Sequence, residues 1–219
     1  MFKNIFRKNK SLADELKVEA KKPILKTPDL PVPFGYNTAW LAVKCDAAND
    51  VINALHLKLI AECNWVSGIN AVYNNKKIFV SPCLDGFILV IGIDLELDIN
   101  MLLDIGKRFG EIQYYVTNHV VDFHMWVKIV NGAVVRNYSY VGESGEVLTD
   151  EGAMTREEEQ LGFAAYINSK NQDGDWDGLE FPDEESVLNI AAAWGVDPKF
   201  EQNRYDKSTG YLCALSEPK

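Results

Sequence analysis

Two hydrophobic periods take turns along this 219-residue chain, and their order predicts its elements. From Tyr36 onward the pattern is regular. Residues 38–45 (T-A-W-L-A-V-K-C) form a near-continuous apolar run of strand length, which predicts a buried strand. Asp46 then stands where a helix N-cap is wanted. Ala47, Val51, Ala54 and Leu55 fall on one face of a helix expected to reach residue 58. Residues 77–81 and 87–93 are two more apolar runs around Pro82-Cys-Leu-Asp-Gly86, whose Asp-Gly pair predicts a tight antiparallel hairpin. Residues 99–109 carry Met101, Leu102, Ile105 and Phe109 on a helical stripe, and Gly110 follows as a C-cap residue. Residues 111–117, rich in Tyr and β-branched side chains, predict a strand.

The order is β-α-β-β-α-β. It predicts an α+β fold of the ferredoxin-like type, an antiparallel sheet with its helices on one face. Residues 120–130 and 133–141 flank Asn131-Gly132, a strong hairpin signal, so a β-hairpin should extend this sheet. A turn over residues 142–145 and a brief pairing of 146–148 should follow. The rest reads as a C-terminal helical lobe. Thr155-x-x-Glu158 is a capping-box pattern that predicts a helix to about residue 169. Pro182-Asp-Glu-Glu185 opens another, with Val187, Leu188, Ile190, Ala191 and Trp194 inward and Gly195 closing it. Three regions result: a basic tail and Pro-rich linker (1–35, with Pro23, Pro28, Pro31 and Pro33), a sheet domain (36–150) and an acidic lobe packed on the same core (151–219).

Charge sharpens this division. Residues 1–26 hold eight Lys/Arg against three Asp/Glu, residues 27–141 eight against eleven, and residues 142–219 six against eighteen. The overall formal charge is −10, which repels phosphate backbones and argues against nucleic-acid binding. The longest apolar run, residues 87–93, is far short of the roughly 20 residues a membrane helix needs, so stable membrane insertion is not expected. Residues 1–10 are basic with Phe2, Ile5 and Phe6 interspersed but lack the apolar core of an export signal. They are expected to be a solvated terminus. Cys45, Cys63, Cys83 and Cys213 form no Cys-x-x-Cys pair and are read as reduced thiols of a cytoplasmic protein.

Several constellations could carry chemistry. Asp173, Asp175 and Asp177, with Gly178 next and Glu184 at the twelfth position, fit the calcium-loop template, in which alternate oxygens converge on one ion. Glu180 and Pro182 depart from it. An acidic surface turn without a cofactor is the simpler reading. Asp122, His124 and Trp126 should share a strand face while His119 falls on the other, leaving an Asp/His pair without a third ligand or nucleophile. An alternative enzymatic reading places a pocket around Asp122, His124, Arg136 and Glu143. Trp176 stands among three aspartates as a candidate hot spot for a cationic partner.

Across Phe109-Gly-Glu-Ile-Gln-Tyr-Tyr115, Val120-Val-Asp-Phe-His-Met-Trp126, Asn131-Gly132, Arg136-Asn-Tyr-Ser-Tyr-Val-Gly-Glu143, Gly145-Glu-Val-Leu148 and the stretch from Gly152 to Gly162, the chain is similar to a widespread group of uncharacterised bacterial proteins. Small acidic proteins of this kind resemble immunity proteins encoded beside polymorphic toxins. The resemblance carries no catalytic residues. It implies a non-enzymatic inhibitor whose acidic surface occludes a basic toxin. Glu157, Glu158, Glu159, Asp173, Asp175, Trp176, Asp177, Asp183, Glu184 and Glu185 are the residues expected to meet that partner.

Overall fold

Asp98 and Gly110 mark off a helix as their side-chain chemistry demands. The Asp98 carboxylate accepts from the Asn100 and Met101 amides at 2.8 and 2.9 Å, and Gly110 ends the helix with φ +84°. The same local rules operate through the computed structural model, which describes residues 23–142, 146–162, 182–202 and 204–216. Glu143 and the Asp-rich turn holding Asp173, Asp175, Trp176 and Asp177 lie outside those residues.

In chain order the elements are β1 (Ala39–Lys44), α1 (Ala48–Ala54), β2 (Lys58–Asn64), α2 (Trp65–Asn75), β3 (Ile78–Leu84), β4 (Phe87–Gly92), α3 (Ile99–Phe109) and β5 (Glu111–Asn118). There follow β6 (Phe123–Val130), β7 (Ala133–Val141), β8 (Glu146–Glu151), α4 (Arg156–Gln160), α5 (Glu184–Trp194) and β9 (Thr209–Ala214). All nine strands join one antiparallel sheet in the order β2-β9-β3-β4-β1-β5-β6-β7-β8. The protein is thus α+β, with a sheet larger than the six-element pattern predicts.

Helices cover both faces of this sheet. On one face, Val51 and Ile52 of α1 and Leu102 and Ile105 of α3 pack on aliphatic residues such as Leu41, Val90, Val127 and Ile129. On the other, Trp65 and Ile69 of α2 and Leu188 and Trp194 of α5 pack on Trp40, Phe79, Tyr115 and Trp126. Double coverage explains why every residue of β4 is buried and why its sequence is apolar without alternation. The hairpin turns are as the sequence predicts. Asp85-Gly86 and Asn131-Gly132 all have positive φ, the condition for the tight turns whose twist matches paired strands.

Three expectations need correction. The N-cap of α1 is Ala47, which offers no side-chain acceptor, so Asp46 does not cap it. That helix ends at Ala54, short of the expected residue 58, and residues 58–75 form a strand and a second helix that the pattern does not predict. The C-terminal lobe is not wholly helical either, because β9 returns to the sheet and lies between β2 and β3. Residues 23–38 run beside this region. Asp29 bridges Ser208, and its carboxylate accepts from the Trp65 and Val66 amides at 2.7 and 3.1 Å. The Asn64 side chain accepts from the Ser67 amide at 3.0 Å. The first three free amides of α2 are thereby satisfied.

Candidate functional site

The sheet's two faces differ in chemistry along β5, β6 and β7. One face is mainly aliphatic, with Tyr114, Asn137 and Ser139 buried among its apolar residues. The other carries the buried polar and aromatic residues Gln113, Tyr115, His124, Trp126, Arg136, Tyr138 and Tyr140. Candidate chemistry therefore concentrates on that second face and on the acidic elements beside it.

Arg136 is its hub. The side chain is 1% exposed. Its Nη1 donates to Asp150 Oδ1 at 2.6 Å and to the carbonyls of Glu151 and Gly152 at 3.3 and 3.2 Å. Its Nε reaches both oxygens of Glu158, at 2.8 and 3.0 Å. Glu158 is fully buried and also accepts from Trp126 Nε1 at 2.9 Å and from the Thr155 amide and hydroxyl at 2.8 Å each. Burial works against the charge on Arg136, but the bonds from Asp150 and Glu158 outweigh it and raise its pKa above the ordinary guanidinium value. Nη2 has no hydrogen-bond partner among the described residues.

This hub decides between two earlier expectations. Glu158 does not belong to an exposed acidic surface, because it is buried as the reciprocal member of the capping box with Thr155. The capping pattern carried that signal, since a Glu that folds back onto its own N-cap is turned from solvent. Nor does Arg136 join the Asp122–His124 pair. His124 faces Tyr140 and Arg136 faces Lys128, four residues further along the strands and roughly 13 Å away at ~3.3 Å per residue.

The Asp122–His124 pair itself is formed. His124 Nε2 lies 2.8 Å from Asp122 Oδ1, the ring is fully buried, and among the described residues Nδ1 has no hydrogen-bond partner. Asp122 sits at φ +48° before β6, and its carbonyl accepts from the Gly142 amide at 2.8 Å. A bond from Nε2–H to the carboxylate would leave Nδ1 as a buried acceptor. Among the described residues no group of three or more His, Cys, Asp or Glu could hold a metal ion. The proposed calcium loop falls outside them, apart from Glu184.

The remaining carboxylates have distinct settings. Glu157 is half-buried and Glu159 exposed on α4. Asp183 caps α5 by accepting from the Ser186 amide at 2.8 Å. Glu184 accepts from the Asn37 amide at 3.1 Å. Glu185 accepts from Tyr36 Oη and from Lys199 Nζ, the latter at 2.9 Å. Those two bonds, the Tyr36 hydroxyl first, hold its carboxyl below the usual range, and the same contact pushes Tyr36 up to about 12. The brief pairing expected at 146–148 is present and runs on as β8 to Glu151, and its Glu146, Asp150 and Glu151, which the expected partner-facing set did not include, are exposed at the sheet's edge.

The fold and these settings define an α+β protein on a nine-stranded antiparallel sheet with an acidic flank. Comparison with protein-family models, curated proteins and solved structures finds no match to this chain. Among the described residues no helix is long and apolar enough to cross a membrane.

Proposed function

We propose that this chain is a non-enzymatic binding protein of the immunity or inhibitor type, which acts in the cytoplasm by covering the basic site of a toxin. The observation that carries the reading is the pinning of the acidic flank by Arg136. One guanidinium ties β8, through Asp150, to α4, through Glu158, and α4 in turn touches α5. Glu146, Glu151, Glu157, Glu159 and Asp183 are left on that scaffold with some or all of their surface in water. Carboxylates held on a rigid frame attract a cationic partner from a distance and lose little side-chain freedom on docking. Strands β3-β4-β1-β5 with α1 and α3 are, in this reading, a ferredoxin-like unit to which the flank was added.

Two measurements test it. Cells making the chain should survive the product of a toxin gene adjacent to it. The triple variant Glu151→Lys, Glu157→Lys, Glu159→Lys should lose that protection while keeping its fold. Association with the toxin should slow steeply as salt rises, because steering is screened over about 8–10 Å at physiological ionic strength. Absence of protection, together with salt-independent association, would sink the reading.

A further inference from the structure

A second acidic and aromatic feature gathers where the turn between β3 and β4 meets residues 197–205. The tight turn between β3 and β4 presents Asp85, held at φ +50° beside Gly86. Across from it a pocket of about 130 Å³ is lined by Ala192 of α5 and by Asp197, Phe200, Gln202, Arg204 and Tyr205. The Phe200 ring is 8% exposed and meets the Tyr205 ring edge to face, with centroids 5.7 Å apart. Tyr205 Oη donates to Asp85, and burial with that bond pushes the phenol up to about 12, so it stays a neutral donor.

Arg204 is part of this pocket's wall, and its guanidinium rests on the groups at the rim. Arg204 Nη2 donates to Asp85 Oδ2 and to Tyr205 Oη, the latter at 2.9 Å, and its Cζ lies 5.1 Å from the Tyr205 ring centroid. Asp197 adds a further attraction. A carboxylate on a fixed turn, an aromatic face and a hydroxyl are the groups that recognise an arginine side chain. The resident pair is half in water, with side-chain exposures of 47% for Arg204 and 43% for Asp85. Exposed pairs of this kind contribute little to stability, so exchange for another guanidinium costs little.

We infer that Asp85 and Tyr205, at the rim of the pocket that Phe200 lines, form an arginine subsite whose position Arg204 takes in the free protein and an arginine of the basic partner takes over. The inference rests on the reading of a basic partner given above and adds where one of its side chains is received.

The test uses the full chain and a small probe, ethylguanidinium chloride, with n-butylammonium chloride as the control cation. Binding is followed by nuclear magnetic resonance of the Phe200 and Tyr205 rings. Arg204→Ala should bind ethylguanidinium about tenfold more tightly than the parent chain, and Arg204→Gln should behave alike. Adding Asp85→Asn to Arg204→Ala should remove the gain, and n-butylammonium should bind more weakly than ethylguanidinium throughout. Equal binding by parent and variant, indifference to Asp85→Asn, or no preference for the guanidinium would overturn the assignment. Failure of toxin protection with guanidinium binding intact would instead remove the inhibitor reading and leave the subsite standing.

Discussion

Arg136 Nε stands 2.8 and 3.0 Å from the two carboxylate oxygens of Glu158, and the two side chains are 1% and 0% exposed. A buried pair of this kind is weak evidence of net stabilisation but is severe to break. Removing one member strands the other's charge away from water, at a cost of about 3–5 kcal/mol, whereas apolar replacement of both is often neutral. Glu158→Gln should therefore lower the unfolding free energy by about 3 kcal/mol or more in a denaturant titration. Arg136→Met with Glu158→Leu should recover only part of that loss, because Trp126 Nε1 and the Thr155 amide lose their acceptor. Equal stability of Glu158→Gln and the parent would show that the pair is loose in solution.

Tyr36, Glu185 and Lys199 give a pH signature of opposite character, at the surface. The Glu185 carboxyl is held below its ordinary range, so its contribution is complete above the unfolded value of about 4.3 and fades as pH falls through the folded value. Tyr36 is raised to about 12, so its contribution is complete below about 10 and fades as pH climbs toward 12. The Glu185 side chain is 46% exposed and solvent screens the interaction, which limits it to less than about 1 kcal/mol. Tyr36→Phe should flatten the stability profile at both ends. Thermal unfolding across pH measures this, and unchanged slopes would refute it.

Legibility in the sequence followed the locality of the signal. The helix Ile99–Phe109, its closing Gly110 and the Asn131-Gly132 hairpin are specified by residues within a few positions of one another, and the structure has them where the pattern places them. The strand Lys58–Asn64 was hidden for two reasons. It is an edge strand, so Lys58, Leu59, Ile60 and Glu62 are exposed without alternation, and a bulge between Leu59 and Ala61 breaks its period. Asn64 is also the N-cap of α2, so no turn residues separate strand from helix. The strand Thr209–Ala214 finds its place only by pairing with β2 and β3, more than a hundred residues earlier, and nothing local encodes such a partner. The site followed the same rule. Asp122, in the turn just before β6, and His124 on that strand are paired as their two-residue spacing suggests, while Arg136 has Asp150 and Glu158 as partners from two other elements.

The four thiols should separate by burial. Cys83 is exposed and Cys45 half-buried, whereas Cys63 and Cys213 are fully buried, and burial pushes their thiols up to about 12 and about 11. The thiolate is the reactive form, so the last two should resist a thiol reagent on both counts. At neutral pH in native buffer, Ellman's reagent should label Cys83 first and leave Cys63 and Cys213 untouched until denaturant is added. Rapid labelling of all four in the native protein would contradict the packing of β2 and β9.

Gly152 offers the sharpest test of how the acidic flank is held. It joins β8 to α4 with φ +85°, and its carbonyl accepts from Arg136 Nη1 at 3.2 Å. A Cβ built there would lie 2.2 Å from the Val135 carbonyl oxygen, a backbone atom that cannot swing aside as a side chain would. Gly152→Ala therefore meets two penalties, the left-handed conformation and a backbone clash, and should cost more than the roughly 1 kcal/mol that positive φ alone imposes. Relief requires the link to move, which withdraws the carbonyl from Arg136 and shifts α4 relative to β8. The variant should therefore lose stability and, by nuclear magnetic resonance, displace the Trp126 indole N–H signal, since that group donates to Glu158 of α4. A stable variant with an unmoved indole signal would show that the link is free to adjust and that Arg136 does not pin the flank.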